Sequence, residues 1–138
     1  MQKIEKSYTI AAPKDTVWRA LIDPMIIEQW GAGPAVMSEE TGSAFSLWDG
    51  DIYCTNTRVI PGELLEQDWY SDRTWTAPSK LSISLHSDGP ESESTIVDLI
   101  QTDIPDDAAG DIEEGWSDYY FEPIRELLEE DDSEDEDE

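Results

Sequence analysis

The sequence predicts an α+β domain in which a curved antiparallel sheet wraps one long C-terminal helix, with two short helices after the first strand. Three observations carry this. Apolar and polar residues alternate near the N-terminus and again in five runs between residues 44 and 100. Helical spacing is confined to residues 12–30 and 111–130. The 138 residues are one domain's length, enough to enclose a single core. Strands in series with helices segregated to one side form a layered architecture, with a cleft between sheet and helix.

The first strand, Ile4–Ile10, alternates apolar with charged or hydroxyl side chains, as a half-buried strand does. Ala12-Pro13 opens a helix, because Pro is tolerated in a first turn and Asp15 suits its positive end. Val17, Trp18, Ala20 and Leu21 form its apolar stripe. Asp23 caps a second short helix that has Pro24 in its first turn and carries Met25, Ile26 and Ile27 to Trp30. The segment GAGPA is a loop. Strands follow at Ala44–Trp48, Ile52–Ile60, Leu64–Trp69, Leu81–His86 and Thr95–Ile100, with a short run at Val36–Ser38 as a further candidate. Asp49-Gly50 marks a hairpin, since glycine accepts positive φ, and Trp48 reads as the residue that packs over its end. Pro61-Gly62 and Asp88-Gly89-Pro90 mark further turns.

From Asp111 to Glu130, Ile112, Trp116, Tyr120, Ile124 and Leu127/Leu128 share one helical face. Pro123 lacks a backbone N–H, so a bend is expected near Tyr119–Tyr120. The domain is expected to span residues 1–130. Residues 131–138, DDSEDEDE, are too charged to offset ordering entropy and are expected to be a disordered tail.

Charge narrows the partners. Lys and Arg number 8 against 34 Asp and Glu, a net charge of −26. The tail holds 7 of those acids, and the remaining 27 against 8 bases still leave the body at −19. Such a surface repels itself across a Debye length of ~8 Å at physiological ionic strength and ~3 Å in molar salt. Scarce lysine and abundant carboxylate fit a halophilic, salt-saturated cytoplasm; an acidic mesophilic protein is the alternative. Neither nucleic acid nor an anionic membrane is an expected partner, because both are bound through Lys and Arg. Met1-Gln2-Lys3 leads straight into a strand, so no signal peptide is expected, and no apolar run approaches the ~20 residues that span a bilayer. The one cysteine, Cys54, cannot form an internal disulfide. A cytoplasmic location is the expectation.

Several stretches resemble a known family. IEKSYTIAAPKDTVWRALIDPMIIEQW, GSAFSLWDGDI, VIPGELLEQDW, PSKLSISL and GWSDYYFEPIRELL are similar to the activator-of-heat-shock-protein-90-ATPase homologues. That family lies in the START-like (SRPBCC) superfamily with its helix-grip, Bet v-type fold, and the likeness covers residues 3–128. The Trp-Asp-Gly turn and the Gly-Trp…Tyr…Pro-Ile segment point to the family rather than to the superfamily at large. The resemblance implies a bent sheet around the terminal helix, enclosing a cavity where many relatives bind lipids, sterols or polyketides. Eukaryotic activators carry this region behind a separate N-terminal chaperone-binding domain, so direct stimulation of a chaperone ATPase by this chain is not expected. Cys54 and Asn56 stand where the family pattern has apolar or small residues, which implies different local packing.

No catalytic constellation is legible. Cys54 and His86 fall on separate strands, without the third orienting group that a nucleophilic pair needs. His86 reads as a surface residue near a strand end, and Cys54 as a small buried apolar side chain. No Cys/His cluster has zinc spacing, Asp49 and Asp51 belong to a turn rather than a calcium loop, and Gly31 to Gly33 lack a phosphate-loop context. Neither a cofactor nor an enzymatic activity is expected. Trp18 and Trp30 read as core residues. Trp69, Trp75, Trp116, Tyr120 and Ile124 are the candidate ligand contacts, because a terminal helix crossing the sheet brings them toward one cleft. Aromatics that line a pocket and aromatics that fill a core are the same residue types. Two functions therefore stand: a non-catalytic binder of a small hydrophobic ligand, and a protein-interaction or co-chaperone module.

Overall fold

The computed structural model describes residues 2–70, 77–87 and 94–128. Six strands form one curved antiparallel sheet: β1 (Gln2–Ile10), β2 (Ala44–Leu47), β3 (Ile52–Ile60), β4 (Leu64–Tyr70), β5 (Ser79–Ser87) and β6 (Thr95–Ile104). Their order is β1-β6-β5-β4-β3-β2, a meander from β2 to β6 with β1 returned beside β6. β1 and β2 are thus the two edges. The helices α1 (Lys14–Ile22) and α2 (Pro24–Gln29), with the segment after them, carry the chain from one edge to the other. Register shifts between Gln2 and Ile4 and between Asn56 and Arg58 bend the sheet locally.

The strand alternation is realised most plainly in β4, where Leu65, Gln67 and Trp69 are buried and the residues between them half-buried. α1 buries Val17, Trp18, Ala20 and Leu21, the stripe read from sequence. Pro13 is its N-cap rather than a first-turn residue. Asp23 caps α2, its carboxylate accepting from the Met25 N–H at 3.0 Å. Val36 makes only an isolated bridge with Ser46, not a strand.

Two departures from the expected local structure shape the site. The β2–β3 hairpin pairs Leu47 with Ile52, leaving residues 48–51 as a four-residue turn. Positive φ is not confined to its glycine: Trp48 sits at 51°, Asp49 at 56° and Gly50 at 91°. A bulky side chain rarely adopts this region, so tertiary contacts hold it there. The Trp48 N–H donates to Ala32 O at 2.8 Å, and the Asp49 N–H to Pro34 O at 3.1 Å. The GAGPA loop therefore clamps the turn.

The C-terminal helix begins at Ala109, two residues earlier than its pattern suggested. It runs as α3 (Ala109–Gly115), passes through a π-helical turn (Trp116–Phe121), and continues helically over 122–128. The Glu122 N–H reaches back five residues to Ser117 O. Pro123 removes the donor that the Tyr119 carbonyl would meet in an α-helix, and the irregularity falls immediately before it. The wider turn buries two consecutive aromatics, Tyr120 and Phe121, where a strict 3.6-residue stripe calls for Tyr120 alone. Further on, Leu128 is buried and Leu127 half-buried. Trp75, the Asp88-Gly89-Pro90 turn and the acidic tail lie outside the described residues.

Candidate functional site

Where the C-terminal helix passes the β2–β3 hairpin and the end of β4, the aromatics leave a cleft of about 370 Å³. Its walls include Trp48 and Ile52 from the hairpin, Trp69 from β4, and Ile112, Trp116 and Tyr120 from the helix. Tyr119, Asp51 and Asp111 also line it and are exposed to solvent. The lining is mostly apolar and, among the described residues, contains no Lys, Arg or His.

The rings are held by one another. Trp69 stacks on Trp116 with centroids 5.6 Å apart, and Trp116 meets Tyr120 at 4.7 Å. Tyr120 also contacts Trp30 at 4.7 Å and Trp48 at 6.3 Å, while Trp48 meets Trp30 edge-on at 6.2 Å. Behind Tyr120, Phe121 stacks on Tyr8 at 4.5 Å and anchors the helix to β1.

A buried polar relay fixes Trp116. Its Nε1–H donates to Gln101 Oε1 at 2.8 Å, Gln101 Nε2–H donates to Ser79 Oγ at 3.0 Å, and the Ser79 hydroxyl donates to Thr102 O at 2.7 Å. Trp69 is different. Its Nε1 is buried with no hydrogen-bond partner, the one such side-chain atom among the described residues. Burial raises the Tyr120 phenol above its ordinary ionisation range.

Of the residues singled out in the sequence, Trp69, Trp116 and Tyr120 meet at the cleft. Ile124 is fully buried in the core and is not part of the wall. Trp48, Ile52, Ile112 and Tyr119 were missed as lining residues. Ile112 had a legible signal, four residues before Trp116 on the same face. Trp48, which the sequence places at the closed end of the hairpin, packs there and walls the cleft as well.

The remaining chemistry-bearing side chains lie elsewhere. His86 is exposed on β5, its Nε2 3.4 Å from Asp98 Oδ2 on β6. Cys54 is half-buried on β3, with its Sγ 3.8 Å from Thr55 Oγ1. Asn56 is completely buried and tied to the preceding segment, so the unusual residue of this strand is structural. Among the described residues, no three His, Cys, Asp or Glu side chains are grouped to hold a metal ion, and no helix is long and apolar enough to cross a membrane.

The family model described as activator of Hsp90 ATPase homolog 1-like protein matches residues 11–129. The chain belongs to this family. A relative in Dictyostelium discoideum, the activator of 90 kDa heat shock protein ATPase homolog, is 37% identical over 79 residues, covering 56% of this chain and 20% of that protein. An uncharacterized protein of Schizosaccharomyces pombe is 23% identical over 122 residues, which are 88% of this chain and 36% of that one. The chain thus spans about a fifth to a third of the length of the curated relatives it matches. Among solved structures, an Hsp90 activator from Plasmodium falciparum superposes with a TM-score of 0.84 at 18% identity, covering 93% of this chain and 96% of that one. A Mesorhizobium loti protein gives 0.77 at 25% identity, with 94% and 98% covered. The fold is the helix-grip, START-like architecture that the family shares.

Proposed function

We propose that this Hsp90-activator-like domain is a non-catalytic binder of a small, largely apolar ligand, held between the β2–β3 hairpin and the C-terminal helix. The observation that carries the reading is the cleft itself: a fully packed core would have closed the space between Trp48, Trp69, Trp116 and Tyr120. A left-handed Trp48 beside that space supports it, because backbone held in a sparsely populated region gathers at ligand sites. The test is titration with an uncharged fluorescent probe such as N-phenyl-1-naphthylamine. Saturable one-to-one uptake by the wild type, lost in Ile112→Trp with the fold retained, is the expected result. Absence of saturable uptake by the wild type would overturn it.

Family membership favours a second reading, a protein-interaction module that engages an Hsp90-type chaperone. The Dictyostelium relative is named as an activator of such an ATPase, and this chain covers a fifth of it. Binding of the chain to the Hsp90-type chaperone of its own source, with a rise in that chaperone's ATPase rate, would support this reading. Absence of both binding and stimulation would sink it.

A further inference from the structure

The cleft beside the β2–β3 hairpin is apolar at depth and acidic at its rim. Trp69, Trp116 and Tyr120 are buried, whereas Trp48, Ile52 and Ile112 are half-buried and keep surface open to a molecule in the cleft. Tyr119, at 68%, is the most exposed aromatic side chain among the described residues, and it stands on this wall. Two charged side chains line the cleft with it: Asp51 from the hairpin turn and Asp111 from α3, both exposed to solvent. The lysines are engaged elsewhere, Lys3 with Glu5, Lys6 with Glu113, Lys14 with Glu63 and Lys80 with Asp68. Asp51 and Asp111 belong to none of the ion pairs among the described residues. Residues 71–76, SDRTWT, hold one Arg and one Asp. A single arginine set against both rim carboxylates would still leave negative charge over.

We propose that the ligand is an organic cation, a quaternary ammonium with an apolar body. The body lies against Trp48, Ile52 and Ile112, and the ammonium sits at the rim with Asp51, Asp111 and the Tyr119 ring. This rests on the reading of the cleft as a ligand site. Two attractions of different kinds meet at that rim. A carboxylate favours a positive charge beside it, and the face of an indole or phenol ring attracts a cation through its quadrupole. A quaternary ammonium suits both, because it has no N–H donor to leave unmade against an apolar wall. Fatty acids and phosphorylated molecules would bring like charge to Asp51 and Asp111 and are poor fits. The cleft, about 370 Å³, is large enough for a body of two fused rings.

The experiment compares three matched probes by displacement of N-phenyl-1-naphthylamine at physiological ionic strength. They are trimethyl(2-naphthylmethyl)ammonium, its uncharged carbon isostere 2-(2,2-dimethylpropyl)naphthalene, and the anion 2-naphthylacetate. Wild type should bind the ammonium about threefold to tenfold more tightly than the isostere, the range of one exposed ion pair joined to one cation–π contact, and the anion most weakly. Asp51→Asn/Asp111→Asn should keep its affinity for the isostere, which also reports an intact fold, and lose the preference for the ammonium. An acidic chain attracts any cation at long range, so Asp15→Asn/Glu126→Gln removes two exposed acids outside the lining as a control. That variant should keep the preference. Equal affinities for ammonium and isostere, tighter binding of the anion, a preference that survives in Asp51→Asn/Asp111→Asn, or one lost equally in the control would overturn the cation proposal while leaving the cleft as a binding site. Failure of N-phenyl-1-naphthylamine and of all three probes to bind would overturn the binding reading itself, and the cation proposal with it.

Discussion

Gln67 and Trp69 stand two residues apart on the same face of β4, both nearly sealed from solvent, and the surrounding chain treats them oppositely. Gln67 Nε2–H donates to Asn56 Oδ1 at 2.8 Å, and Asn56 Nδ2–H reaches Ser38 O at 3.2 Å and Ser43 Oγ at 3.0 Å. The Ser43 hydroxyl in turn donates to Glu40 O at 2.6 Å. No side-chain nitrogen or oxygen buried in this cluster is left over. Around Trp69 the neighbours are rings, and the buried indole N–H has no partner among the described residues. A satisfied polar cluster specifies one packing of the segment above it. An aromatic cluster with an unmet donor is held by ring packing instead.

The largest expected effect on this contrast comes from Trp116→Ala. Trp116 is 2% exposed, stacks against Trp69 and meets Tyr120 and Phe121 at a tilt, so its removal should destabilise by ~3–5 kcal/mol in urea melts, as large core truncations do. A loss below ~1 kcal/mol would mean that the aromatic cluster is not part of the folded core. Next comes Asn56→Ala, which strands the Gln67 amide and releases the 38–43 segment. A loss of about 1–3 kcal/mol is expected, because a buried donor is left unmade. Unchanged stability would show that the polar cluster does not specify packing. The smallest effect should be Trp69→Phe, which breaks no hydrogen bond among the described residues and keeps an aromatic ring in place. Its penalty should stay below about 1.5 kcal/mol, the range of near-conservative core swaps. A larger penalty would show that the volume lost from the indole leaves a cavity the aromatic cluster cannot close.

Much of the fold was legible because its signals are local. Alternation located the strands, the Asp23-Pro24 pair located the start of α2, and Pro123 located the irregular turn of the terminal helix. Faces follow from periodicity, so Trp69 on a strand and Trp116 with Tyr120 on a helix could be named together in advance. Their position relative to Ile124 could not. Periodicity says which side of a helix turns inward, but not where along it the walls separate, and Ile124 lies where they do not.

By itself, then, the sequence determined the layered α+β architecture, the order of its elements and the acidic surface, all of which depend on residue type and near-neighbour spacing. The tertiary structure decided the rest. The π turn turned Phe121 inward beside Tyr120, because a wider helical turn resets the spacing on which a 3.6-residue stripe relies. The GAGPA loop holds Trp48 at positive φ and so sets one wall of the cleft, through hydrogen bonds to residues 15 and 16 positions earlier in the chain. Whether a buried indole is satisfied was settled at a similar separation. Trp116 meets Gln101 across 15 residues, while no described residue supplies an acceptor for Trp69. Hydrogen bonds of that kind join groups that only folding brings together, and no local pattern in the chain encodes them.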